Sequence, residues 1–172
     1  FRSEGVGTGT SIDHVQVHHS GDDGIEWFGG TVNATHLLIT GAQDDSFDMD
    51  LGFQGNIQYA LARQADEWGN RTIESDNNGD DFRATPMTMP TFVNVTLIGN
   101  TNADADTTGA LHREGMAGNF HQMIITDDAD YGAYSEGCLD IDDTTARIND
   151  GNLSYTNVIM NCANGAAVAA DD

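Results

Sequence analysis

The chain contains no lysine, and six arginines face 28 acidic residues, which leaves a formal charge of −22 over 172 residues. Without a basic patch it cannot neutralise phosphates and release their counterions, which excludes nucleic acid as a partner and disfavours an anionic membrane surface. Long apolar runs are missing as well. Nothing approaches the roughly 18 apolar residues of a membrane span, and no basic-then-apolar leader opens the sequence. The 3.6-residue apolar period of amphipathic helices is absent. Proline occurs only at Pro86 and Pro90, and cysteine only at Cys138 and Cys162, 24 residues apart. Neither cysteine sits in a Cys-x-x-Cys pair or beside a His/Asp relay, which argues against a catalytic thiol. The spacing is about one repeat, so a disulfide across adjacent turns and two free thiols are both compatible with it.

What the chain does have is a step of 22. Asp22-Asp23 recurs as Asp44-Asp45 and again as Asp66-Glu67. His14-Val15-Gln16-Val17 becomes His36-Leu37-Leu38-Ile39 and then Gln58-Tyr59-Ala60-Leu61, while Ile25-Glu26-Trp27 becomes Phe47-Asp48-Met49. Apolar residues on either side of a polar one give the period-2 pattern of strands with one buried face. Short strands at a constant step, joined by Gly, Asn and Asp turns, predict a solenoid whose units bury their apolar faces against one another. The expected fold is all-β, a right-handed parallel β-helix of about six coils. Leucine-rich repeats share the period, but their Leu-x-x-Leu-x-Leu signature is missing.

The first coil runs over 11–30 and the second over 31–53. The third takes four extra residues before Ile73-Glu74, then opens into a polar segment, 76–90, expected to be an inserted loop and a binding face. Strand signal returns at Phe92-Val93-Asn94-Val95, at Leu111-His112-Arg113, at Met123-Ile124-Ile125, at Leu139-Asp140-Ile141 and from Tyr155 to Met160. Residues 1–172 read as one domain. A solenoid needs polar caps, and no helix is predicted to cover either end. The start at Phe1, without Met, suggests a piece of a longer chain; either more chain flanks it or copies stack end to end into filaments.

In-register coils place Asp44 beside Asp22 and Asp45 beside Asp23 at about 4.8 Å. Two bare charges at that distance repel by roughly 0.9 kcal/mol in water and about 3.5 kcal/mol at an effective dielectric of 20. A counter-ion relieves this, and calcium, which takes six to eight oxygens in flexible geometry, suits carboxylate turns better than zinc. The candidate ligand sets are Asp22/Asp23/Asp44/Asp45, Asp76/Asn78/Asp80/Asp81, Asn102/Asp104/Asp106 and Asp140/Asp142/Asp143. The third has alternating spacing but lacks the glycine and bidentate glutamate of an EF-hand. The alternative is that these are solvated turn residues, where Asp and Asn belong anyway. His14 and His36 are also one step apart; two ligands without a third make an incomplete metal site, and an outward hydrogen-bonded ladder is the preferred reading.

A second outward column reads Glu26, Asp48, Glu74, His112, Asp140. In that register His112 lies between carboxylates, which would raise its pKa. With Arg113 it would form a candidate catalytic group: a base, a cation to neutralise a uronate, and Glu74 and Asp140 flanking them. The competing reading is that His112 only relieves an acidic column and Arg113 pairs with a neighbouring carboxylate.

The stretches Ser11 to Val17, Gly21 to Asn33, Asp44 to Asp48 and Gly118 to His121 resemble secreted right-handed parallel β-helix proteins of marine and environmental bacteria, similar in architecture to pectate lyases. The resemblance implies an extracellular or cell-surface location. Many members of that class look like surface or matrix components, and the lyases similar in fold use calcium-binding acids with an Arg or Lys base. This chain departs from that pattern in having no lysine, which leaves Arg113 as the single candidate. The expectation is an extracellular, calcium-stabilised structural or binding module with a polysaccharide, cell-surface or matrix partner; the alternative is a polysaccharide lyase or hydrolase.

Overall fold

The computed structural model describes residues 1–65, 68–102 and 106–165. Its strands alternate along the chain between two parallel sheets. One sheet is built from β1 (Arg2–Glu4), β3 (Ile25–Phe28), β5 (Phe47–Asp50), β7 (Arg71–Asp76), β9 (Thr108–Arg113) and β11 (Gly137–Ile141), stacked in that order. The other is built from β2 (Ser11–His18), β4 (Asn33–Thr40), β6 (Asn56–Arg63), β8 (Thr91–Ile98), β10 (Gly118–Thr126) and β12 (Leu153–Thr156), with β13 (Ile159–Asn161) also pairing with β10. The described helix is a single short turn, α1 (Thr145–Asn149). This is a parallel β-helix.

The inward residues stack in columns between the sheets. Ile25, Phe47, Ile73, Ala110 and Leu139 form one, and Ile12, Ala34, Ile57, Phe92 and Phe120 form another on the facing sheet. Trp27 stacks on Phe53 at 5.1 Å, and Phe92 on Phe120 at 5.6 Å. Fully burying side chains of this size contributes roughly 1.5–3 kcal/mol each. Glycine is required where the coils come closest: a Cβ on Gly24 would lie 2.3 Å from Ile39 Cγ2 and 2.6 Å from the Ser46 carbonyl oxygen.

The step of 22 holds between the first two coils, where Val15 pairs with Leu37 and Glu26 with Asp48. It then changes. Leu37 pairs with Ala60, one residue later than the constant step expects, so Tyr59 and not Gln58 occupies the position of His36. β2, β4, β6, β8 and β10 also each contain one left-handed residue at the same level, His14, His36, Tyr59, Asn94 and Gln122, and Asn157 continues the row between β12 and β13, with φ between 53° and 58°. Such a bulge breaks the strict alternation and turns two consecutive side chains outward.

Cys138 and Cys162 are joined in a disulfide, with Cα atoms 5.6 Å apart. The connection between β7 and β8 is organised by Asn77, which is almost fully buried. Its side-chain amide donates to the carbonyls of Phe82 and Ala84, and its Oδ1 accepts from the Thr88 N–H at 2.8 Å.

Candidate metal centre on the acidic wall

The outer face of the first sheet carries the column Arg2, Glu26, Asp48, Glu74, Leu111, Asp140. At the corner preceding it, the aspartates form a ladder. Asp23 Oδ1 accepts the Asp45 N–H at 3.0 Å, and Asp45 Oδ1 accepts the Arg71 N–H at 3.1 Å. The ladder seats each coil on the next, so these carboxylates have a structural task whatever else they bind. Carboxylate oxygens of the ladder and the column converge in three overlapping groups, Asp22/Asp23/Asp44, Asp23/Glu26/Asp48 and Asp45/Asp48/Glu74, within each of which the ligand oxygens lie within 4.8 Å of one another.

Burial and mutual repulsion shift Asp23, Glu26, Asp44, Asp45 and Asp48 upward. Asp48 is pushed up to about 8, first by desolvation and then by Asp23, Glu74, Asp76 and Glu26. Asp23 is pushed up to about 6 by desolvation, with Asp44, Glu26 and Asp22 adding to it. Asp45, only 2 % exposed, is held well above the carboxylate range by its burial and by its hydrogen bond with the Glu74 carboxyl. Glu26 and Asp44 are raised as well, again mainly by desolvation. The wall therefore holds protons near neutrality in the absence of cations. Carboxylate oxygens crowded to this degree, with no imidazole or thiolate among them, fit a hard oxygen-seeking cation such as calcium.

Arg113 lies at the edge of this wall but is fully engaged. Its Nε and Nη2 donate to the two carboxylate oxygens of Asp76 at 2.8 Å each, and Nη2 also meets Glu74 Oε1 at 2.8 Å. The bidentate bond with Asp76 raises the Arg113 pKa further above its already high value. Desolvation outweighs that bond at Asp76, whose own pKa rises to about 6.

His112 is not in the outward column. It pairs with Ser75 and Ile141, so its column is the inward one of Trp27, Met49, Ser75, His112 and Ile141. His112 lies 38 residues after Glu74 where the register pairs residues 37 apart, and a slip of one residue exchanges the faces of a strand. Leu111 takes the place between Glu74 and Asp140. His112 is fully buried against Phe120, its Nε2 2.6 Å from the Tyr155 hydroxyl and its Nδ1 3.2 Å from Ser75 Oγ. Burial lowers its pKa to about 3, the reverse of the expected rise. An exposed base poised between carboxylates is thus absent at this position.

The sequence model of the pectate-lyase-like β-helix domain matches residues 3–171. The chain belongs to that family. No curated protein and no solved structure matches it.

Within this pectate-lyase-like domain no convergent group of three acids forms from the other expected ligand sets among the described residues, and several of their atoms make local contacts. In the second set, Asp76 is clamped by Arg113, and Asn78 Oδ1 accepts the N–H groups of Asp80 and Asp81 at 2.9 and 3.1 Å in a turn. Asp81 Oδ1 in turn accepts the Arg83 N–H at 3.0 Å. In the third, Asp104 lies outside the described residues; the Asn102 amide donates to the Gly69 carbonyl at 3.1 Å, and the Asp106 carbonyl receives the Arg71 guanidinium. In the fourth, Asp140 is half-buried on β11, Asp142 donates its N–H to the His112 carbonyl at 2.8 Å, and Asp143 lines a cleft of about 430 Å³ with Phe82, Arg83, Arg147 and Asp150. Asp66 and Glu67, the third copy of the acidic pair, also fall outside the described residues. Glu26, Asp48 and Glu74, which spacing alone marks as an outward column, stand among the convergent donors. The missing signal was the corner, which brings that column against the Asp ladder.

Proposed function

We propose that this domain is an extracellular, calcium-stabilised β-helix module that serves a structural or binding role towards a polysaccharide, cell-surface or matrix partner. One observation carries the reading: seven carboxylates, from Asp22, Asp23, Glu26, Asp44, Asp45, Asp48 and Glu74, share one wall in three overlapping groups. Calcium bound there would supply the positive charge that the chain itself lacks. Asp23 and Asp48 face the column and the ladder together and would bridge neighbouring groups, while Asp45 would remain mainly a coil-to-coil clamp. The same cations would let an acidic glycan approach a protein of charge −22. The disulfide Cys138–Cys162 supports an oxidising, extracellular compartment.

A lyase or hydrolase on this wall is the weaker reading. Its proposed base, His112, is sealed in the core, and Arg113 is held by Asp76 and Glu74. End-to-end association belongs to the same proposal, since an edge strand of a parallel β-helix can pair with a strand of another copy.

The test is calorimetric unfolding with about 5 mM calcium and then with EDTA, a concentration well above a weak sensor-like dissociation constant. Calcium should raise the melting temperature by several degrees, and Asp48→Asn should remove most of that gain. An unchanged melt would take calcium out of the account. Release of unsaturated ends from alginate or pectate, abolished by Arg113→Ala, would reinstate the enzymatic reading. A constant monomer mass in light scattering at rising concentration would refute stacking.

A further inference from the structure

The second sheet carries a different donor set on its outer face. Its bulges at His14 and His36 turn Asp13 and His14 outward in succession, and the pairing of β2 with β4 brings His36 alongside. Asp13 Oδ1 lies 2.9 Å from His14 Nδ1 and 2.8 Å from His36 Nδ1. Thr35 Oγ1 donates to the same oxygen at 2.7 Å. The two imidazoles stack at 4.3 Å with 20° between their planes, and Tyr59 continues the stack on His36 at 5.2 Å. The rings are therefore fixed in orientation although all three ligand side chains are substantially exposed, at 48 %, 74 % and 47 % for Asp13, His14 and His36.

We propose that Asp13, His14 and His36 form a surface site for a divalent transition metal of the imidazole-preferring class: Zn²⁺, Ni²⁺ or Cu²⁺. Two imidazole nitrogens and one carboxylate are the donors that such ions take and that calcium does not. The nitrogen-to-oxygen separations are close to what such ions need: at a metal–ligand distance of about 2.05 Å two ligands sit about 2.9 Å apart at right angles and about 3.3 Å apart at the tetrahedral angle, so the contacts need only open slightly to admit the ion. In the metal-free protein each Nδ1 donates its proton to Asp13. The ion takes the place of both Nδ1 protons, each neutral ring then carrying its proton on Nε2 through exchange with solvent, holds the three atoms as one face of its coordination shell, and fills its remaining positions with water or a partner's ligand. Thr35 keeps the carboxylate oriented when the histidine protons leave. The site shares no residue with the acidic wall, so its fate does not depend on the calcium reading.

The experiment is titration calorimetry of the full chain with Zn²⁺ near neutral pH, in about 5 mM calcium so that carboxylate-only sites are already filled. His14→Asn and His36→Asn are the informative variants, because asparagine tolerates left-handed backbone and already stands at the equivalent positions Asn94 and Asn157 with φ of 57° and 56°. Each should leave the metal-free melting temperature unchanged and weaken Zn²⁺ binding roughly a hundredfold. Asp13→Asn should weaken it as well, and His121→Asn should not. Unchanged affinity in His36→Asn overturns the proposal. So does loss of binding in His18→Asn or His19→Asn with His36→Asn intact, which would move the ion to that neighbouring pair.

Discussion

Asp23 accepts the backbone N–H of Asp45 at 3.0 Å, one coil away, and the same carboxyl is raised to about 6. The hydrogen bond favours the ionised form and burial opposes it, and burial wins. The wall is thus both a scaffold and a strained electrostatic element, and its stability must depend on pH and cations.

In EDTA the protein should become less stable as pH rises. Asp48 has a folded pKa of about 8 and Asp23 of about 6, both above the ordinary aspartate value of 3.8. A carboxyl raised on folding stabilises fully below its unfolded pKa, and that contribution is lost as pH rises through the folded value. The loss should run from about pH 4 to pH 8 and amount to a few kcal/mol in total. Asp13 and Asp128, lowered by their hydrogen-bond partners, act oppositely as pH falls below their ordinary range, and His112, lowered to about 3, opposes the trend below about pH 6.5, so the fall is clearest between pH 6.5 and 8. Chemical denaturation at pH 6.5 and 8 measures this; a rising stability between them contradicts the assignment.

Removing Arg113 should destabilise the fold without touching chemistry. Arg113→Met leaves Glu74 and Asp76 facing each other on adjacent positions of the wall. Breaking a buried pair costs about 3–5 kcal/mol, but the arginine is 38 % exposed, so screening reduces the expected loss to about 2 kcal/mol. Calcium should restore part of it. A neutral substitution in urea melts would mean that the pair is solvated.

His112 should not titrate in the physiological range. Its folded pKa of about 3 lies below the usual 6.5, so the ring stays neutral from pH 5 upward. Tyr155→Phe removes the hydroxyl 2.6 Å from Nε2 and should cost about 1–3 kcal/mol by stranding a buried polar atom. Proton NMR of the imidazole settles the point: a midpoint between pH 6 and 7 would place this ring in water.

Reduction of Cys138–Cys162 should lower stability by about 3 kcal/mol, the loop-entropy expectation for a closure spanning 24 residues. Thermal melts with and without a phosphine reductant test this. An unchanged melt would show that the unfolded chain is already compact in this region.

The repeat in the first two coils was legible because Asp22-Asp23 and Asp44-Asp45 lie in coils of equal length, so linear spacing equals spatial register. That equality fails after Asp50. One extra residue before β6 replaces Gln58 by Tyr59 in the outward stack, and the longer connection from β7 to β9 moves His112 to the inside. A period-2 strand offers no margin for such slips, because a single residue exchanges its faces. The Asp13–His14–His36 group was hidden for a related reason. Alternation predicts that neighbours 13 and 14 point to opposite faces, and only the left-handed bulge at His14 puts both outward.

The sequence by itself determined the architecture and the charge: alternating apolar positions repeated at a constant step can bury their faces only by stacking, and 28 acids without lysine make any neutral-pH surface cation-seeking. Tertiary structure decided which acids meet, that Arg113 is spent on Asp76 and Glu74, that His112 is core, and that the cysteines close a bond. Those outcomes depend on loop lengths at the corners, and the register they impose is fixed only when the apolar columns pack and select one alignment of each coil on the last.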